Sequence, residues 1–305
     1  MKRISLLGAL LLAASLASLA AQDYAGVKRI NGRGTYCRAV GTGEPLLIVH
    51  GGPGLAHDYL FKPFLRLASG RRLVFYDQMG SGLSDGFREG EKAGVAELVE
   101  ELEGVRRAFA PGAVDLAGQS WGAVIAVHYA AKYPQHVKKL LLLEPAPGSS
   151  EYLPAFQRTI LERLTPEDKE TLAGYGKDPA LASDPLLCRK WMDLRFKAYY
   201  FDAGRQDLEK LAYFDGPRVE KFFASSAMFG PVLMDFDLYG MMKGIVCPVL
   251  IIHGAHDPIP TAAVERMAHA LPNAELRIVG ESGHFVHVEK PDEYFPAIER
   301  FLARK

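Results

Sequence analysis

Short, nearly continuous apolar runs alternate with stretches of helical periodicity along most of this chain. "LLIVH", "RLVFYD", "AVDLAG", "VKKLLLLEP", "CPVLIIHG" and "AELRIVG" are rich in Val, Ile and Leu. Such runs suit strands buried on both faces of a sheet. "TYCRAV" reads as a further strand ahead of them. Between the runs, "VAELVEELEGVRRAF" sets Val95, Leu98, Val99, Leu102 and Val105 on one helical face, with charges opposite. "GAVIAVHYAAKYP" closes at Pro134, "TAAVERMAHALP" follows Pro260, and "PDEYFPAIERFLARK" has Pro291 at a favourable first helical position. The alternation predicts an α/β fold: a mostly parallel sheet flanked by helices and joined by right-handed crossovers.

The rhythm breaks over residues 149–243. That stretch is helical in pattern, rich in Tyr, Phe and Met, and has no clear buried strand. We read it as a helical cap inserted into a core made of residues 22–148 and 244–305. The cap aromatics Tyr199, Tyr200, Phe201, Phe222, Phe223 and Phe236 are expected to serve mainly as cap core, with the remainder walling a pocket.

Residues 1–21 differ from the rest. Lys2 and Arg3 precede an apolar run that ends in small residues, the layout of a secretory signal peptide with cleavage near Ala20 or Ala21. The mature chain is then expected in the periplasm or outside the cell, without stable membrane association. An uncleaved anchor is the alternative. Lys+Arg 36 balances Asp+Glu 36 and no basic block occurs, so nucleic acid is not an expected partner. Cys37, Cys188 and Cys247 are far apart and lack metal-ligand spacing.

The chemistry concentrates at a few strand ends. "DLAGQSWGAVIAV" places Ser120 between Gly118 and Gly122, at a turn from an apolar run into a helical one. This G-x-S-x-G spacing lifts a serine hydroxyl above a sheet. A nucleophilic serine needs a base, and the base needs an orienting acid. "IIHGAHDPIP" carries Asp257 and "IVGESGHFVHVEKP" carries His284, each just past a strand, where open α/β sheets place their sites. Glu144, after "KKLLLL", competes for the role of acid; Asp257 is preferred for its G-x-x-D turn. His287 is a rival base, and His253 and His256 read as structural. "LLIVHGGPG" runs a strand into a glycine-rich loop, which suits a backbone N–H donor for a developing oxyanion. Gly52, with Gly51 next, and Trp121 are the candidate donors. His50 reads as a hydrogen-bonding residue that holds the loop.

"HGGPG" at 50–54, "FYDQMGSGLSD" at 75–85 and "GQSWGA" at 118–123 together resemble the proline iminopeptidase (prolyl aminopeptidase) family of α/β-hydrolases. The resemblance covers nearly the whole mature chain. It implies the α/β-hydrolase fold with an inserted cap. It also implies Ser120 as nucleophile with Asp257 and His284, an oxyanion hole at Gly52 and Trp121, and no metal or organic cofactor. The implied function is removal of an N-terminal proline or other small apolar residue from short peptides. Such an enzyme must bind an α-ammonium, and a buried cation needs carboxylates. Asp257 is followed by Pro258, so the acid loop offers no adjacent second carboxylate. Asp193, Asp202, Glu209, Asp215, Asp235 and Asp237 are cap candidates, with Asp235 and Asp237 of "LMDFDLYG" favoured. An esterase or lactonase acting on a small acyl substrate would need no ammonium site and is the alternative. A catalytically silent binding protein is a third reading, and the full Ser, Asp and His set argues against it.

Overall fold

The computed structural model of this chain describes residues 22–206 and 215–304. The proposed signal peptide, residues 1–21, lies outside the described residues. The core is an eight-stranded sheet in the order β1-β2-β4-β3-β5-β6-β7-β8. Strands β1 (Tyr24–Ile30) and β2 (Arg33–Val40) form a hairpin through a turn at Asn31-Gly32, both with positive φ. The sequence reading missed β1. Its Gly, Lys and Arg residues give no apolar run, because it is a half-exposed edge strand. Strand β2 pairs antiparallel with β4 (Arg71–Tyr76), and β4 pairs parallel with β3 (Glu44–Val49).

Beyond β3 the sheet is parallel through β5 (Val114–Gln119), β6 (Val137–Leu143), β7 (Val249–Gly254) and β8 (Ala274–Val279). Helix α1 (Asp58–Phe64) precedes β4, α2 (Val95–Phe109) precedes β5, and α3 (Trp121–Lys132) links β5 to β6. The strands alternate faces with period two. Leu47, Val49, Leu116, Leu140, Leu142 and Ile251 pack with α2 and α3, while Leu46, Ile48, Ala117, Leu141, Leu143 and Ile252 pack on the opposite side with α1. Strand β8 departs from its apolar reading. It is the other edge, and Val279 is its one buried residue.

Between β6 and β7 lie α4 (Leu153–Arg163), α5 (Pro166–Lys177), α6 (Pro185–Phe196), α7 (Gly216–Met234) and α8 (Tyr239–Met242). We call this helical layer the cap. Local chemistry starts these helices. Thr165 and Asp168 form a reciprocal capping box around Pro166, and Asp184 accepts the Leu186 and Leu187 N–H groups ahead of Pro185. Helices α4 and α5 bury none of their own residues. The fold closes with α9 (Thr261–Ala270), the short α10 (Val286–Glu289) and α11 (Pro291–Ala303). Among the described residues, no helix is long and apolar enough to cross a membrane. Cys37, Cys188 and Cys247 are all free thiols.

Candidate active site

Ser120 sits at the junction of β5 and α3 with φ 53° and ψ −119°, a conformation that side chains other than glycine rarely adopt. Holding it there costs about 1–3 kcal/mol. The surrounding backbone supplies the restraint: Ser120 N–H donates to Leu143 O at 3.0 Å, and Ser120 O accepts from Ala123 and Ala146. The flanking glycines are needed for clearance. A Cβ on Gly118 would overlap the Gly122 carbonyl, and one on Gly122 would overlap the Val49 carbonyl.

The loops after β7 and β8 meet this serine. His284 Nε2 lies 3.0 Å from Ser120 Oγ, and His284 Nδ1 lies 2.7 Å from Asp257 Oδ2. A carboxylate partner at Nδ1 fixes the proton there and leaves Nε2 free to accept from the serine hydroxyl. Asp257 Oδ1 accepts the Ile259 N–H at 2.8 Å, and His253 holds the same loop by donating from Nε2 to Ile259 O at 3.0 Å. Burial alone would raise the Asp257 carboxyl. The nearby His284 and His253 rings and the Ile259 N–H outweigh it and hold the group below its ordinary value.

Glu144 and His287 lie elsewhere. Glu144 is fully buried at the end of β6, and neither carboxyl oxygen has a hydrogen-bond partner among the described residues. Burial, reinforced by the charge of Asp257, pushes it well above its ordinary value; the Gln119 amide and the Val286 N–H lie near enough to oppose the shift but outside hydrogen-bonding geometry, and they do not reverse it. His287 packs against the rings of Tyr59, Phe285 and Tyr294, and burial pushes its pKa down to about 3.

The glycine-rich loop after β3 faces the serine turn. Gly52 adopts φ +139°, open to glycine alone, because a Cβ there would lie 2.7 Å from Gly54 N. The Gly51 N–H is engaged, donating to the Tyr59 hydroxyl at 2.7 Å. The Gly52 and Trp121 N–H groups have no acceptor among the described residues, which favours Gly52 over Gly51 as a donor to a ligand. His50 accepts the Gln78 N–H at Nε2, so its proton sits on Nδ1 and is donated to Gly51 O at 2.7 Å. Burial lowers the His50 pKa and keeps the ring neutral. It holds the loop, as its sequence position suggests.

A cavity of about 390 Å³ opens over Ser120, bounded by Gly52, Trp121 and His284 below and by cap residues above. Phe156, Trp191, Phe196, Tyr199, Phe222 and Phe223 form an aromatic roof. Of the six cap aromatics singled out from the sequence, Tyr199, Phe222 and Phe223 therefore face the cavity, more than expected. Tyr200 is buried, and Phe201 is exposed against the His256 ring. The roof needs large apolar groups for the same reason a core does, so composition does not separate the two roles. Among the residues described in the wall, Arg195 is the one Lys, Arg, Asp or Glu side chain. Its guanidinium lies 5.1 Å from the Trp191 ring. Asp193, Asp202, Asp215, Asp235 and Asp237 are absent from that wall. Asp235 is exposed, and the exposed Asp237 accepts the Tyr239 N–H at 2.8 Å at the start of α8. Glu209 lies outside the described residues.

Two seams stitch the cap to the core loops. On one side, Arg218 of α7 pairs with Asp58 at 2.7 Å, Lys221 donates to Ser84 O at 2.6 Å, and Ser225 donates to Gly80 O at 2.7 Å. The "DQMGSGLSD" loop is thus the seat of α7. On the other side, His284 N–H donates to Tyr199 O at 2.7 Å. The buried Glu289 accepts from Phe201 and Asp202 through one oxygen, at 2.9 Å each, and from Gly283 at 2.6 Å through the other. Sequence reasoning missed Glu289, Tyr59 and Arg195, and noted Gln78 only as part of a motif. Each acts through a contact distant in sequence that no local pattern announces.

A strand-to-helix serine, a histidine and an aspartate after successive strands, and a helical layer above define an α/β-hydrolase-fold enzyme. Residues 44–291 match the family model described as the alpha/beta hydrolase fold. A proline iminopeptidase of Lactobacillus delbrueckii subsp. lactis is 30% identical over 286 residues, spanning 88% of this chain and 94% of the relative. The chain belongs to the proline iminopeptidase family of α/β-hydrolases. Among solved structures, a proline iminopeptidase of Mycobacterium smegmatis superposes with TM-score 0.67 at 20% identity, covering 92% of this chain and 97% of its own. An esterase from Exiguobacterium antarcticum superposes with TM-score 0.69 at 19% identity, covering 92% and 100%. At these identities the two likenesses speak to the fold alone.

Proposed function

We propose that this chain is a serine hydrolase that removes an N-terminal apolar residue, such as proline, from short peptides through an acyl-enzyme on Ser120. The observation that carries the chemistry is the unbroken hydrogen-bonded series Ser120, His284, Asp257 at the floor of the aromatic cavity. His284 Nε2 takes the Ser120 proton as Oγ attacks the carbonyl carbon. Asp257 holds the imidazole tautomer and stabilises its cation. The Gly52 and Trp121 N–H groups receive the charge on the carbonyl oxygen. His284 then protonates the leaving amine, and water activated by the same ring releases the acyl group. The aromatic roof suits a small apolar ring, and the proline iminopeptidase relatives support a peptide substrate. Residues 1–21 are part of the proposal as an export signal; the chain recovered from producing cells would then begin at Ala21 or Gln22.

One observation favours a second reading. The described wall offers no carboxylate for an α-ammonium and presents Arg195 instead. An ester or lactone substrate, with its own acidic group near Arg195, fits that wall. The test is hydrolysis of prolyl-, alanyl- and leucyl-arylamides beside short-chain nitrophenyl esters, with Ser120→Ala as the blank. Ser120-dependent cleavage of a free-amino arylamide, lost when the amine is acetylated, supports the peptidase. Cleavage of esters alone discards it in favour of the esterase. Turnover that survives Ser120→Ala removes both.

A further inference from the structure

The two proposed oxyanion donors come from different strands. Gly52 follows β3 and Trp121 follows β5; these strands are neighbours, with Val49 paired to Gly118. Past that pair the sheet no longer fixes the distance between the two loops. An oxyanion hole is effective only if its donors are held in place before charge develops, since donors that must reorganise give up much of their advantage.

Two buried side chains cross the gap. Gln78 donates from Nε2 to His50 O at 2.7 Å and accepts the Trp121 Nε1–H at its Oε1 at 3.1 Å. Its backbone N–H also meets His50 Nε2 at 3.1 Å. One amide therefore grips the glycine loop with its donor end and the residue after the serine with its acceptor end. Tyr59 makes the second crossing. Its hydroxyl accepts the Gly51 N–H at 2.7 Å and donates to Gln119 Oε1 at 2.6 Å. His50 and Gly51 immediately precede Gly52, while Gln119 and Trp121 flank Ser120. Both struts are buried, so water does not compete for these bonds.

We propose that Gln78 and Tyr59 are positioning residues that brace the Gly52 N–H against the Trp121 N–H and so set the geometry of the oxyanion hole. The inference rests on the acyl-transfer reading of the site. Neither residue acts on substrate; Gln78 acts through the His50 carbonyl and the Trp121 indole, and Tyr59 through the Gly51 N–H and the Gln119 side-chain oxygen. The chemistry explains the residue types. A crossing of this kind needs one group that donates and accepts at once, which an amide and a phenol do and a carboxylate or thioether does not.

The test uses the full mature chain and 4-nitrophenyl acetate, a substrate that either reading of the acyl group allows. Rates are taken per active site titrated with a fluorophosphonate, so that misfolded protein does not count. Gln78→Met keeps the volume and removes both bonds; Tyr59→Phe removes only the hydroxyl. For Gln78→Met, kcat is expected to fall about a hundredfold with KM within about twofold, and for Tyr59→Phe about tenfold. Affinity for a trifluoromethyl ketone, whose serine adduct carries the oxyanion, should fall in parallel with kcat. A fall in titratable sites with unchanged kcat per site, or lost kcat with undiminished ketone affinity, overturns the brace. If Gln78→Met yields no folded protein, Tyr59→Phe decides alone by the same two readouts. Hydrolysis that persists in Ser120→Ala refutes the acyl-transfer reading itself, an outcome distinct from failure of the brace.

Discussion

The ends of β6 and β7 lie side by side and each delivers a buried carboxyl, yet the two carboxyls are opposites. Asp257, after β7, meets His284 and the Ile259 N–H and is held below its ordinary pKa. Glu144, after β6, has no hydrogen-bond partner among the described residues and is pushed well above its own. Burial is similar at the two sites, so burial does not decide which acid is charged. The partners do. A loop that turns back on itself, as 253–259 does through His253 and Ile259, supplies donors to its carboxylate; a residue at the strand end itself lacks that local company.

The strongest way to break this contrast is to neutralise each acid in turn. With its oxygen kept by the Ile259 N–H, Asp257→Asn turns an NH2 donor toward His284 Nδ1, imposes the wrong tautomer and should lower kcat on the order of 10⁴-fold, the scale expected when the orienting carboxylate of a serine triad becomes an amide. Glu144→Gln, measured beside it in steady-state kinetics, should leave kcat within about threefold. The reverse ranking would transfer the role of acid to Glu144. An intermediate effect is expected at Glu289, a half-way case that is buried like Glu144 but satisfied by three backbone N–H groups. Glu289→Gln turns one acceptor into a donor facing an N–H. It should lower kcat about tenfold and speed amide hydrogen exchange at Phe201, Asp202 and Gly283.

The smallest effect is on stability against pH, and its sign separates the two acids. Below the ordinary carboxylate value of 4.5, Glu144 is protonated in the folded and unfolded chain alike. Above it the unfolded chain releases the proton and the folded chain keeps it, so stability falls with rising pH until the folded group ionises. In thermal melts between pH 5 and 9, Glu144→Gln should therefore lose less stability than the parent. Asp257 has the opposite sign. Its contribution is present above 3.8 and is lost as the pH falls through its lowered folded value.

Most of the sheet was legible because strands buried on both faces carry apolar runs, as β3, β6 and β7 do over 46–49, 140–143 and 249–252. Ser120, Asp257 and His284 were legible because each follows the end of a strand pattern, β5, β7 and β8 in turn, and such an end is visible in sequence. The edges were harder: β1 and β8 carry polar residues, since water faces them. The supports of the site were not legible at all. Gln78, Tyr59 and Glu289 are defined by partners that meet only after the chain has folded. The amine-binding residues sought at Asp235 and Asp237 fall into the same class; an acid in a helical layer has no periodic mark that says whether it faces cavity or solvent.

The two seams between cap and core bear on how such enzymes can be rebuilt. Arg218, Lys221 and Ser225 fasten to Asp58, Ser84 and Gly80, close to the glycine loop, while Tyr199 and Phe201 fasten to the histidine loop through His284 and Glu289. The roof is thus not a detachable module. A chimera that imports another roof at residues 149–243 must bring matching stitches for both loops, or it will trade specificity for a loosened catalytic floor.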